Sequence, residues 1–224
     1  MNGLAGISAA APAPADAATE ADSIAADSPW RDVARAGAHH APYLARIMRL
    51  HPHLVENMDA EWAARTRDDA IAEALAIARA PPPLDEGMKR LRDAKKALHL
   101  AAALADLSRR WPLQSVTSAL TQFADASLAA SIALAARVLG ERGDIEAAPF
   151  DDPHGPIPGI AFIAMGKMGA GELNYSSDVD FSVFYEPAEM KLKGGAEARA
   201  VALRVVQIVV KALEEISADG YVFR

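Results

Sequence analysis

Two short apolar runs, Ile160 to Met165 and Phe181 to Tyr185, enclose the stretch Gly166-Lys-Met-Gly-Ala-Gly-Glu-Leu-Asn-Tyr-Ser-Ser-Asp-Val-Asp180. Each run has the length and residue types of a buried strand. Gly166, Gly169 and Gly171 interrupt the first, and Asp178 and Asp180 lead into the second. Side chains two residues apart on a strand share a face. The two carboxylates then start about 6.6 Å apart at a rise of about 3.3 Å per residue, close enough to converge on one or two divalent cations. This arrangement constrains the fold: a turn pinned between two strands, with carboxylates at its exit, needs a sheet.

The 224 residues suffice for one or two domains with a sizeable core. Hydrophobic types make up 51% but aromatics only 6%, which points to aliphatic helix packing. A formal net charge of −7 argues against a general nucleic-acid binder, which needs a basic face for phosphates. With no cysteine there is neither a disulfide framework nor a thiolate metal site. No run reaches the ~18 consecutive apolar residues of a membrane span. Residues 1–27 read as a disordered Ala/Pro-rich tail. They hold no Lys or Arg, so they lack the basic start of an export signal, and a cytoplasmic location is expected.

Helical spacing dominates the stretch from 28 to 145. Ser28-Pro29 reads as a helix start. Val33, Ala36, Tyr43, Leu44, Ile47 and Met48 follow as its apolar stripe, with a break at Pro42. A helix over about 60–80 ends at Pro81-Pro82-Pro83. A second, over about 85–110, carries Lys89, Arg90, Arg92, Lys95 and Lys96 in its first half. A solvated face is the plain reading of these cations, and a dock for an acidic partner or a phosphate is the other. Trp111-Pro112 separates it from a third long helix closing at Gly140, and the pair should pack antiparallel. Four prolines between Asp144 and Pro158 suggest a linker containing an exposed His154. Another helix spans about 196–218, Gly220 ends it, and a strand begins at Tyr221.

Phosphate-binding alternatives fail on spacing. A P-loop needs glycine at 161 and Ser or Thr after Lys167, where alanine and Met168 stand. The glycines run G-x-x-G-x-G, not the dinucleotide-binding G-x-G-x-x-G. No EF-hand ligand ladder is present. What remains is strand, glycine turn, short helix around 169–173, and a strand opening on Asp-x-Asp. Glycines let backbone approach phosphate oxygens, Lys167 offsets their charge, and paired aspartates hold Mg²⁺.

The Met165–Asp180 stretch resembles the signature of the glutamine synthetase adenylyltransferase/deadenylylase family, within the DNA polymerase β-type nucleotidyltransferase superfamily. Leu91-Arg-Asp, Leu104-Ala-Asp-Leu-Ser and Trp111-Pro-Leu-Gln-Ser-Val-Thr-Ser-Ala-Leu-Thr-Gln-Phe-Ala-Asp125 agree with it, and the likeness covers about 28–224. The resemblance implies an α+β fold: a helical lead-in over 28–145, then a nucleotidyltransferase core over 146–224 with a short mixed sheet and flanking helices. It implies a two-headed enzyme of which this is the first, deadenylylating core, removing AMP from a glutamine synthetase tyrosine by phosphorolysis to ADP. Asp178 and Asp180 would be the catalytic metal ligands. Gly166, Lys167, Gly169 and Ser177 would meet nucleotide or phosphate. Glu172 and Asn174 would support the metal site or cap the turn. ATP, ADP, phosphate and a PII-type signal protein are the further partners it implies. One departure stands out: the superfamily's third carboxylate has no counterpart in Tyr221, Val222, Phe223 or Arg224, so the core reads as truncated, and a catalytically incomplete binding module is the alternative.

Overall fold

The computed structural model describes residues 21–152, 155–218 and 220–223. The chain forms two compact units meeting between Trp62 and Ala63.

In the first unit, helices α1 (Arg31–His40) and α2 (Pro42–Leu50) are followed by a 3₁₀ turn, Pro52–Val55. The break falls at Ala41, since Pro42 can open a helix but cannot continue one. Two tryptophans hold the unit together. The Trp30 and Trp62 rings meet edge to face at 5.2 Å, and their indole N–H groups donate to the carbonyls of Asp59 and Leu54. Ser28 does not open a helix at Pro29. Its hydroxyl donates to the Met58 carbonyl, and α1 begins at Arg31. The buried stripe of α1 is Ala34, Gly37 and Ala38 rather than Val33 and Ala36, because small residues allow closer contact. Ala21 and Ile24, within the expected tail, are also buried. Residues 1–20 and His154 lie outside the described residues.

The second unit is built on α3 (Trp62–Arg79), α4 (Leu84–Leu107) and α5 (Leu113–Arg142). The Arg137 guanidinium donates to the Pro81 carbonyl, and a Cβ on Gly87 would stand 2.6 Å from the Leu134 side chain. The start of α4 therefore lies along the far half of α5, and the two run antiparallel. Helix α5 ends at Gly143, in a left-handed conformation, rather than at Gly140. By length and apolar composition α5 could cross a membrane, but most of it is buried inside the protein. Its sixteen buried residues, seven of them alanine, let α4 and α7 (Ala198–Glu214) pack closely on it.

Strands β1 (Ile160–Ala164) and β2 (Phe181–Tyr185) pair antiparallel, with Ala164 opposite Phe181 and Ile160 opposite Tyr185. Among the described residues this is the sheet, antiparallel where a mixed one was expected. Ile160, Phe162, Ala164 and Phe181 face the helical core, while Ile163 and Phe184 stand exposed on the other side. One apolar cluster runs from Ala70 on α3 to Phe223. Lead-in helices from 63 onward and the sheet share one core. The end of the chain also differs from expectation. Tyr221 starts no strand. The amides of Val222 and Phe223 instead donate to the Leu213 carbonyl at the end of α7, and the Phe223 ring reaches to 6.0 Å of Phe123.

Candidate functional site

The segment 165–180 is the connection of the β1–β2 hairpin, so pairing of the strands brings its two ends together. The Met165 amide donates to the Asp180 carbonyl at 2.8 Å, extending the ladder one step past the strands. Val179 packs against the core, whereas Asp178 and Asp180 on either side of it are exposed. This is the alternation the sequence predicted: both carboxylates point to the solvent face.

Gly166 adjoins Asp180. Its φ of +53° favours glycine, and a Cβ there would lie 2.9 Å from Asp180 Oδ2. The turn and the second carboxylate are thus one feature, with the side chain laid over bare backbone. Helix α6 is the short Gly166–Gly169 turn rather than a helix around 169–173. Gly169 has a packing role: a Cβ there would meet the Ala164 carbonyl oxygen at 2.6 Å, and its amide already donates to Met165. Lys167 is exposed on the same turn.

Asn174 organises the next turn. Its Oδ1 accepts from the Ser176 amide and from the Ser177 hydroxyl, both at 3.0 Å, and the Ser177 oxygen in turn accepts from the Asn174 amide. Ser177 and Asn174 are thus tied to each other inside the loop, just before Asp178. Two buried anchors hold the loop down. Met168 enters the core, and Leu173, also buried, donates its amide to Thr121 Oγ1 on α5 at 3.2 Å.

Sequence reasoning overlooked a third anchor. The Tyr175 hydroxyl donates to Asp106 on α4 at 3.5 Å, and its ring stands edge-on to His99. Burial, with the Asp106 charge and hydrogen bond, pushes the Tyr175 phenol well above its usual range. Burial, and then the Lys95 charge, lowers His99 to about 3, so it is neutral. The available signal was His99 on the apolar face of α4, one turn after Lys95.

Behind the sheet lies a cavity of about 530 Å³, lined by β1, by α5 and by Phe150, Asp152, Gly155, Pro156 and Ile157. Asp125 is at its edge, its carboxyl raised by partial desolvation. Among the described residues, no third His, Cys, Asp or Glu joins Asp178 and Asp180 in a metal-holding group.

The chain is thus α+β: an antiparallel hairpin lies on a helical core, with a glycine turn against one of two exposed carboxylates. The chain belongs to the glutamate-ammonia ligase adenylyltransferase family, whose model matches residues 32–224. It is 41% identical over 198 residues to the bifunctional glutamine synthetase adenylyltransferase/adenylyl-removing enzyme of Caulobacter vibrioides, covering 88% of this chain and 20% of that protein. Proteins of the same description in Rhizobium meliloti and Bradyrhizobium diazoefficiens are 36% and 39% identical over 90% and 84% of this chain, and 21% and 19% of their own length. The chain thus spans about a fifth of these curated relatives.

Proposed function

We propose that this chain carries the adenylyl-removing core of an enzyme that controls glutamine synthetase, and that Asp178 and Asp180 are its metal ligands. The observation that carries the reading is the contact between Gly166 and Asp180, a cradle that any Cβ would fill. Hard oxygen donors on an exposed face fit Mg²⁺, which keeps several of its waters. When bound, Mg²⁺ neutralises charge on the entering and leaving oxygens of an in-line displacement. The residues of the chain do the positioning. The Asp180 backbone is held by its bond to Met165, and Lys167 supplies a positive charge on the Gly166–Gly169 turn. Inorganic phosphate would attack the phosphorus of a tyrosyl-AMP diester, its P–O(tyrosine) bond would break, and ADP and the free tyrosine would leave.

The removing direction rests on the resemblance of the helical lead-in that precedes the motif. The relatives' names carry both directions. In a chain of the relatives' full length, Asp178→Asn with Asp180→Asn should lower phosphate-dependent ADP release from adenylylated glutamine synthetase at least 100-fold. Retained release would refute the ligand assignment. That no third carboxylate joins the pair among the described residues favours a second reading, a binding module for glutamine synthetase or a PII-type protein. Partner binding by this chain, with no heat from Mg²⁺ and nucleotide, would favour it.

A further inference from the structure

The cavity behind the sheet is not used by the metal site. Ile160, Phe162 and Ala164 line it from β1, through the side chains that pack toward the helical core, whereas Asp178 and Asp180 are exposed. Leu128 and Ile132 on α5 supply a further apolar wall. The volume of about 530 Å³ falls within the range of about 300–1,000 Å³ typical of sites for small organic molecules. Such sites are mostly apolar, with a few polar groups that fix the orientation of the ligand.

Charge on the walls has one sign. Asp125 and Asp152 are the charged residues of the described lining, and no Lys, Arg or His joins them there. Asp125 makes no hydrogen bond or ion pair among the described residues. Desolvation raises its carboxyl, and no neighbouring cation offsets that. A carboxylate beside apolar walls is costly until a positive charge meets it. A metal ion fits poorly, because it needs several oxygen ligands and its waters would face aliphatic side chains. No metal-holding group of three is present among the described residues either. An organic cation suits both parts of the cavity, with its ammonium at the carboxylate and its apolar body between β1 and α5.

We propose that this cavity binds a small organic monocation, its aromatic or aliphatic body against Leu128, Ile132, Ile157 and Phe162 and its protonated amine at Asp125. Ala164 links the site to the rest of the hairpin: it lines the cavity, and its carbonyl oxygen is the one against which Gly169 packs. An occupant therefore touches the strand that leads into the glycine turn. The inference does not depend on the metal reading.

The test is calorimetry and amide-resolved NMR titration of this chain with naphthylethylamine, protonated at neutral pH, and with its uncharged analogue naphthylethanol, both without divalent metal. Saturable binding of the amine is expected, with shifts centred on Ala129, Ile132 and Phe162. The alcohol should bind about tenfold more weakly, because it lacks the charge-assisted hydrogen bond. Asp125→Asn should bring the amine down to the affinity of the alcohol. Ala129 lines the cavity from an exposed position on α5, where a helix tolerates leucine, so Ala129→Leu should fill the space and weaken both ligands. Asp178→Asn with Asp180→Asn should leave amine binding unchanged. Equal affinity for amine and alcohol in the native chain, or an amine preference that survives in Asp125→Asn, would overturn the proposal. So would shifts centred away from β1 and α5, loss of binding in the Asp178/Asp180 variant, or no saturable binding at all.

Discussion

Gly166→Ala and Gly171→Ala form a matched pair of perturbations. Both glycines have positive φ, +53° and +74°. An alanine in the left-handed region costs about 1–2 kcal/mol. For a unit of this size, Tm falls by about 2–4 °C per kcal/mol, so each variant should melt about 2–8 °C lower. They differ in what the new methyl meets. At Gly171 nothing lies within 4 Å, whereas at Gly166 it would stand 2.9 Å from Asp180 Oδ2, about 0.5 Å inside ordinary contact. Asp180 is exposed and can swing away at little cost in stability. It would then leave the position in which both carboxylates can share an ion. Thermal unfolding with and without Mg²⁺ and ADP separates the two effects. Both variants should lose similar intrinsic stability, but only Gly166→Ala should lose the metal-dependent rise in Tm. An equal metal response in the two would refute the link between the glycine turn and the carboxylate.

Thr121→Val removes the acceptor of the buried Leu173 amide, and should cost about 1–3 kcal/mol in urea unfolding, with faster amide exchange at Leu173. His99 has a folded pKa of about 3, below the unfolded value near 6.5, so its contribution is present above pH 6.5 and lost as pH falls toward 3. His99→Leu should flatten the stability profile in that window, where the slope from this group is at most about 1.4 kcal/mol per pH unit. Asp125 has a raised pKa, so its burial weakens the fold progressively as pH rises through the ordinary carboxylate range. Asp125→Asn should therefore raise Tm at pH 7 and leave it unchanged at pH 3.

The helices were legible because apolar spacing and proline punctuation agree along most of their length: Val116, Leu120, Phe123 and Leu139 are all buried, and Pro81–Pro83 and Pro112 separate the elements. The strands were legible as apolar runs around glycine, and the outward pair Asp178 and Asp180 followed from their parity about Val179. Contacts made by small residues were not legible. Ala34 and Gly37 in α1 displaced the larger Val33 from the core, a preference that depends on what lies opposite. The role of Gly169 depends on a carbonyl five residues back, and that of Ser177 on the orientation of Asn174. Charge was only partly legible at α4: Lys89 is exposed, whereas Lys95 and Lys96 are buried against Tyr221 and Asp93. The end of the chain was misread for a similar reason: Tyr221 to Phe223 has strand composition, but the free carbonyl of Leu213 captures its amides.

The paired carboxylates at the glycine turn are best tested by electron paramagnetic resonance of Mn²⁺ titrated into this chain with ADP. A bound-ion signal should appear in the native chain. It should be lost in Asp178→Asn with Asp180→Asn and weakened in Gly166→Ala. A signal of equal strength in all three would contradict the assignment of Asp178 and Asp180 as the metal site.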